Sequence, residues 1–237
     1  KVVRRELYTQ PGDYFSRSAM IRSVRALGAL NFFNPEALKP DVKLLDNNKV
    51  DLIYKVEERS TSQVNASVGF AGSFGITGSI GLSFNNFSLT EPFLGGAGQV
   101  LNFNWEFGQL SRYQTLSLGF TEPWFMDQPT TLGFNVYNSY IRYNYEMKRT
   151  GISVNIGRRF HWPDDYFRGD LTFSAQRNDV GDYTSSIYYR PGVTNEYSLG
   201  LSISRVSLDN LFFPAHGSRF SVSSQWAMGA AGIGNTD

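Results

Sequence analysis

The stretch "VLNFNWEFG" (residues 100–108) alternates apolar and polar side chains at a period of two. Successive side chains of a β-strand point to opposite faces, so Phe103 and Trp105 share one face, and Asn102 and Asn104 share the other. In a soluble β-sandwich the aromatic face would point into the core. In a membrane barrel it would face lipid, and the asparagines would face a wet lumen. The fold depends on which of these two orientations applies.

Similar alternating segments repeat along the chain, with Gly, Asn, Asp and Pro between them. No helix-period stretch is seen after residue 60, and the spacing predicts an antiparallel meander. The nine predicted strands are residues 62–70, 75–84, 99–108, 113–122, 131–143, 148–160, 168–178, 196–206 and 218–226.

The polar phase of these segments favours the membrane orientation. It is built from Ser, Thr, Asn, Gln and Gly with few charges, whereas the outer face of a soluble sandwich normally carries Lys and Glu. Segments of about ten residues match a tilted strand that crosses a bilayer. A secreted β-sandwich with an aromatic core stays open as the alternative. Within residues 131–145 the sequence does not decide which face of the strand is turned to lipid, because Phe134 and Val136 lie on one face and Tyr137 lies on the other.

Aromatic residues gather near the segment ends, which is typical of the interfacial girdles of barrels. Aromatics make up 15% of the sequence. The predicted girdle residues are Trp105, Phe107, Trp124, Phe125, Tyr143, Tyr145, Phe160, Trp162, Tyr188 and Tyr189.

We therefore expect a membrane β-protein, a partial antiparallel transmembrane β-barrel with about nine strands in this chain. Bacterial barrels usually have an even number of strands, and lipid offers no water for an open edge. The remaining strands are then expected outside this sequence or on another chain. The first residue is lysine and no signal peptide is present, so we expect a fragment at both ends.

Charge density predicts two domains, residues 1–60 and 61–237. Charged residues number 19 in the first 60 positions and 24 in the remaining 177. The first domain is predicted as a small α+β unit with helices at 2–7 and 17–30 and strands at 41–45 and 49–59. Ser16 is the predicted N-cap of the second helix.

Several function classes fit poorly. The formal net charge of +1 argues against a nucleic-acid binder, and the absence of cysteine removes disulfides and thiolate chemistry. Neither His161 nor the pair His216 and Ser218 lies in a nucleophile motif, and no metal-ligand spacing is visible. We therefore expect no enzyme, no cofactor and no metal.

The order of the parts resembles the junction between the last POTRA domain and the barrel in the outer-membrane protein assembly factor family. The similar motifs are "VVRRE" (2–6), "ALGALNFF" (26–33), "VDLIYKVEERST" (50–61), "TEPWF" (121–125) and "SRVSLDNLFFPAHGSRF" (204–220). The resemblance implies a sixteen-strand barrel in the outer membrane, of which this chain holds about half, with the first domain in the periplasm. The Arg-Gly-Phe signature of the family is absent, and "GRRF" (157–160) does not replace it.

The resemblance also implies a function and two sites. The implied function is folding and insertion of nascent outer-membrane barrel proteins. Export of one passenger protein and a passive porin are the alternatives. The first barrel strand would lie at the barrel seam and bind client strands through its edge, and the segment 1–7 would dock an accessory assembly lipoprotein. The implied client-strand residues are Gln63, Val64, Asn65, Ala66, Ser67, Val68, Gly69 and Phe70. The implied lipoprotein contacts are Arg4, Arg5 and Glu6.

Overall fold

The computed structural model describes ten ranges of the chain. They are residues 2–30, 32–46, 48–59, 62–92, 95–109, 112–143, 145–160, 162–181, 191–208 and 214–229. His161, Tyr188 and Tyr189, which carried expectations from the sequence, lie outside the described residues, as do residues 60 and 61 at the expected domain boundary.

The N-terminal module consists of two helices and a two-stranded antiparallel sheet. Helix α1 spans Val2–Arg5 and α2 spans Arg17–Ala29, while β1 spans Lys39–Leu45 and β2 spans Lys49–Lys55. The Ser16 side chain accepts a hydrogen bond from the Ala19 backbone N–H, which confirms the predicted N-cap. The predicted strand 49–59 is too long, because beyond Lys55 only an isolated bridge between Glu58 and Phe33 continues the pairing.

A small apolar core holds this module together. Leu27, Phe32, Phe33 and Leu38 are buried, and Val2, Val3 and Leu7 pack against them. The fully buried Ser23 is satisfied, since its hydroxyl donates to the Ala19 carbonyl and accepts from the Tyr8 N–H, each at 2.8 Å. The segment 84–99 forms one compact unit with residues 1–62, and a Cβ atom built on Gly98 would lie 3.2 Å from Val2 Cγ2.

The second compact unit comprises residues 63–83 and 100–237. The described residues form nine strands in one antiparallel sheet, ordered β11-β10-β9-β8-β7-β6-β5-β4-β3. All nine predicted strands are present. Their bounds are β3 Gln63–Ala71, β4 Gly75–Phe87, β5 Gln99–Gly108, β6 Tyr113–Glu122, β7 Thr130–Arg142, β8 Glu146–Arg159, β9 Phe167–Val180, β10 Gly192–Val206 and β11 Arg219–Gly229.

The exposure of the side chains answers the question raised by residues 100–108. Apolar side chains in the middle of the strands stay exposed rather than packing against a second sheet; Val136 and Leu118 are 46% and 51% exposed. Small polar groups of the other phase are more enclosed, and Ser198 is only 6% exposed. This is the expected pattern of a sheet with an apolar lipid face and a polar lumen face. The sandwich alternative is wrong because no second layer covers the apolar side chains of the described strands.

Strand pairing also resolves the ambiguous phase of residues 131–145. Val136 pairs with Leu118 on β6 and Ile152 on β8, so it belongs to the apolar face. Tyr137 pairs with Ser117 and Gly151 and therefore belongs to the polar face. An aromatic ring is accommodated among small groups there because its cross-strand neighbour is a glycine.

Candidate functional site: the edge strand and the polar face

Strand β3 is the edge strand of the nine-stranded sheet. It pairs with β4 from Gln63↔Ser83 to Ala71↔Gly75, and in the described sheet β4 is its one neighbour. All nine of its residues are exposed, including Val68 at 84%. The eight residues Gln63 to Phe70, expected to bind a client strand, are therefore contiguous on an exposed edge. Such an edge offers unpaired backbone N–H and C=O groups to another strand.

The polar face of β3 carries small side chains. Its members Asn65, Ser67 and Gly69 pair with Gly81, Ser79 and Thr77 of β4. The Ser67 and Ser79 hydroxyl groups hydrogen-bond each other at 2.7 Å. Next to them lies a cavity of about 430 Å³, which also reaches Glu106 on β5 and Tyr113 on β6.

The turn after β3 contributes Phe74 to the lining of this cavity. Residues Gly72–Phe74 form a 3₁₀ turn, and the Phe74 ring lies 5.7 Å from the ring of Tyr113 and 6.1 Å from that of Tyr143. The Tyr113 hydroxyl donates a hydrogen bond to Glu106, whose other oxygen accepts from Asn104 Nδ2 at 3.1 Å. The sequence did not predict this cavity, because its walls come from four strands and only the register brings them together.

A second polar network spans three strands further along the sheet. The Tyr137 hydroxyl donates to Gln176 Oε1 at 2.5 Å, and the Gln176 amide donates to Asn178 Oδ1 at 2.8 Å. Arg149 Nε donates to the same Asn178 oxygen at 3.1 Å. The ring of Tyr137 crosses β8 at Gly151, where a Cβ atom would lie 2.5 Å from it. This network fixes the polar face of β7, β8 and β9 in a single register.

Arg205 organises a third cluster near the ends of β8, β9, β10 and β11. Its guanidinium donates to Asp164 Oδ2 through Nη2 at 2.7 Å and through Nε at 2.9 Å. It also donates to the hydroxyl groups of Ser207 and Ser218. The hydrogen bond from Arg205 holds the pKa of the Asp164 carboxyl below its usual value of 3.8. The Ser218 hydroxyl, considered above beside His216 as a nucleophile, takes part in this structural cluster.

The expected lipoprotein contacts belong to the first compact unit. Arg4 is exposed, while Arg5 and Glu6 are half-buried. Val2 and Val3 of the same short helix pack on the apolar core, so Arg4 is presented to solvent.

Among the residues that the structure describes, no helix has the length and hydrophobicity needed to cross a membrane, and no group of three or more His, Asp or Glu side chains is arranged to hold a metal ion.

Together these features define a membrane protein of the partial β-barrel class, with a lipid-facing apolar surface, a polar lumen face and a small α+β module ahead of the sheet. Comparison with protein families gives the same class. Residues 94–236 match the Omp85 superfamily domain, and residues 1–59 match POTRA, described as the surface antigen variable number repeat. The chain belongs to the Omp85 superfamily.

Curated relatives carry assembly-factor names. A Treponema pallidum protein that is named as an outer membrane protein assembly factor is 38% identical over 136 residues. This alignment covers 57% of this chain and 16% of the Treponema protein. The Neisseria meningitidis outer membrane protein assembly factor BamA is 31% identical over 147 residues, 58% of this chain and 16% of its own. The chain thus spans about a sixth of the length of these relatives. The protein lies in the outer membrane, with its POTRA module in the periplasm.

A solved structure shares the fold. The crystal structure of BamA from Haemophilus ducreyi lacking POTRA domains 1–3 superposes with a TM-score of 0.63 at 21% identity, covering 96% of this chain and 45% of that one.

With the POTRA module periplasmic, the start of β3 marks the periplasmic end of the sheet. Antiparallel order then puts the turn 123–129 and residues 162–166, with Asp164, at the periplasmic end.

Proposed function

We propose that this protein folds and inserts other β-barrel proteins into the outer membrane by templating client strands on the free edge of β3. The observation that carries the proposal is the position of β3 as an exposed edge strand with small polar-face residues. An incoming strand would pair with this edge by β-augmentation. Main-chain N–H and C=O groups, rather than a catalytic side chain, would be the working groups.

The energetics favour such a template near lipid. A backbone hydrogen bond contributes only about 1 kcal/mol net in water. In hydrocarbon the alternative is an unsatisfied polar group, which costs several kcal/mol. A client strand that pairs with β3 before it leaves water therefore avoids the larger penalty. The assembly-factor names of the curated relatives support the same function for this chain.

The proposed partners are the outer-membrane bilayer, nascent barrel proteins and an accessory assembly lipoprotein that docks near Arg4, Arg5 and Glu6. The exposed guanidinium of Arg4 suits an acidic group on that lipoprotein. Reversing its charge with Arg4→Glu should weaken co-purification of the lipoprotein, whereas Arg17→Glu, at the start of α2, should not. Equal losses for both variants would contradict docking at this segment.

A cysteine crosslink tests the templating edge directly. The printed sequence has no cysteine, so an introduced thiol is unique within it. Ser67→Cys on β3 should form disulfides with cysteines scanned along a stalled client strand, and the yield should peak at every second client position. Ser79→Cys on β4 is the matched control, because it removes the same Ser67–Ser79 hydrogen bond from an internal strand. No crosslink at any client register, or equal yields for the two variants, would contradict the proposal.

A further inference from the structure

Large rings of this sheet lie over glycines on the neighbouring strand. A Cβ atom built on Gly151 would lie 2.5 Å from Tyr137, one on Gly78 would lie 2.7 Å from Phe107, and one on Gly169 would lie 2.8 Å from Phe160. Real Cβ atoms do not come so close to other atoms, so each of these glycines makes room for a specific ring. A glycine beside an aromatic side chain is thus a repeated packing device in this protein.

Gly69 on β3 has no ring over it among the described residues. The nearest atom to a Cβ built there is Thr77 Oγ1 at 3.7 Å, an ordinary contact distance. Gly69 instead lines the cavity of about 430 Å³ described above, together with Ser67 and Ala71 of the same strand. Because β3 is the edge of the described sheet, a strand added to that edge is able to lay a ring over Gly69.

The Tyr137 site shows which side chain fits. Tyr137 pairs with Gly151, and Gly151 pairs with Gln176, whose side-chain oxygen accepts a hydrogen bond from the Tyr137 hydroxyl. Gly69 pairs with Thr77 in the same way on the polar face. By the same geometry, a tyrosine placed opposite Gly69 would cross β3 and direct its hydroxyl toward Thr77.

We infer that Gly69 and the adjoining cavity form a receptor for a tyrosine side chain of the client strand. This inference rests on the proposed templating function and adds a specificity element to it. The rings of Phe74 and Tyr113 supply the aromatic wall, and the hydroxyl groups of Ser79 and Thr77 supply the polar end. A side chain held in this site fixes the register of the client on β3, which backbone hydrogen bonds alone do not specify.

Peptide binding to the natural full-length protein in lipid nanodiscs tests the receptor. Three peptides of one client-strand sequence carry Tyr, Phe or Ala at the same inward-facing position, and fluorescence anisotropy gives each Kd. We expect the Tyr peptide to bind about tenfold more tightly than the Ala peptide, with the Phe peptide between them. In Gly69→Ala the Tyr preference should fall to less than about twofold, because the new methyl group occupies the floor of the site.

Gly81→Ala is the matched control on the polar face of β4. A Cβ atom there would lie 3.5 Å from Asn104 Oδ1, an ordinary distance, and Gly81 lies outside the cavity lining. This variant should keep the Tyr preference. Three results would overturn the receptor while leaving the templating edge intact: equal binding of all peptides to the natural protein, a preference that survives Gly69→Ala, or a preference lost in both variants. Failure of every peptide to bind would contradict the templating edge and the receptor together.

Discussion

At the scale of single residues, glycines and one arginine position the polar face and the periplasmic rim. Gly151 admits the Tyr137 ring, and Arg205 joins the nearby Ser207 to Asp164 and Ser218, which are 41 and 13 residues away in sequence. The rings of Tyr166 and Phe167 also face the Arg205 guanidinium, at 5.7 Å and 5.8 Å. These contacts suit a rim, because an arginine satisfied by a carboxylate and aromatic rings tolerates the membrane interface.

The Asp164 carboxyl should make stability depend on pH. Its pKa is lowered in the folded protein by the Arg205 hydrogen bond, so its contribution is present above the unfolded value of 3.8 and is lost as pH falls through the lower folded pKa. Asp164→Asn should therefore lower the thermal midpoint in detergent at pH 6, and the difference from the natural protein should shrink as pH falls below 3.8. Asp179→Asn, at the other end of β9, is the control. A difference that stays constant down to acid pH would contradict this assignment.

The glycine at position 151 should be intolerant of even one methyl group. Gly151→Ala places a Cβ atom 2.5 Å from the Tyr137 ring and should destabilise the sheet by about 1–3 kcal/mol. Gly200→Ala is the control, since a Cβ atom there would lie 3.7 Å from Thr172 Cβ. Urea unfolding in detergent micelles measures both. Equal losses of unfolding free energy in the two variants would show that glycine at position 151 serves no packing role. If the added change Tyr137→Ala restores the stability of Gly151→Ala, the Tyr137 ring is the group that clashes.

At the scale of elements, alternation in the sequence predicts the strands well because each strand has one apolar and one polar face. Segment 113–122 coincides with β6, and segment 99–108 coincides with β5. Strand ends were less predictable, since β4 continues to Phe87 and β9 to Val180. In β9, the pairing of Val180 with Gly192 extends the strand beyond its alternating pattern.

The face of Tyr137 could not be predicted from its own strand. A tyrosine fits the lipid face and the polar face equally well by composition, and the choice depends on Gly151, which lies on another strand. The cavity beside β3 was missed for the same reason. Of the candidate site, the sequence indicated the edge strand itself, while the residues around it became visible only through the register of β3 to β6.

The orientation of strand β7 gives a direct test at this scale. Val136 lies mid-strand on the apolar face and Asn135, next to it, lies on the polar face. Val136→Lys should destabilise folding into lipid bilayers by about 2–4 kcal/mol, since the ammonium group would enter the hydrocarbon region. Asn135→Lys should change stability by only about 0.5 kcal/mol, because its neighbours Gly119 and Ser153 leave a wet, open site. The reverse order would mean that the two faces are exchanged.

At the scale of the whole molecule, the chain combines a POTRA module with the strands of an Omp85 barrel. The module has its own apolar core around Leu27, whereas the sheet has its apolar side chains exposed for lipid. In the sheet of the described residues, one edge of β3 is not paired with another strand. In a membrane, an edge of this kind has to be paired by another strand. Under the proposed templating function, the client supplies that strand.

Depletion of the natural full-length protein from its own cells tests the insertion function most directly. Quantitative mass spectrometry of the outer membrane would follow the other β-barrel proteins as this protein disappears, with outer-membrane lipoproteins that lack a barrel as the control. We predict that the barrel proteins fall in parallel while these lipoproteins stay constant. Unchanged levels of the other barrel proteins, or the loss of a single exported passenger alone, would contradict the insertion function.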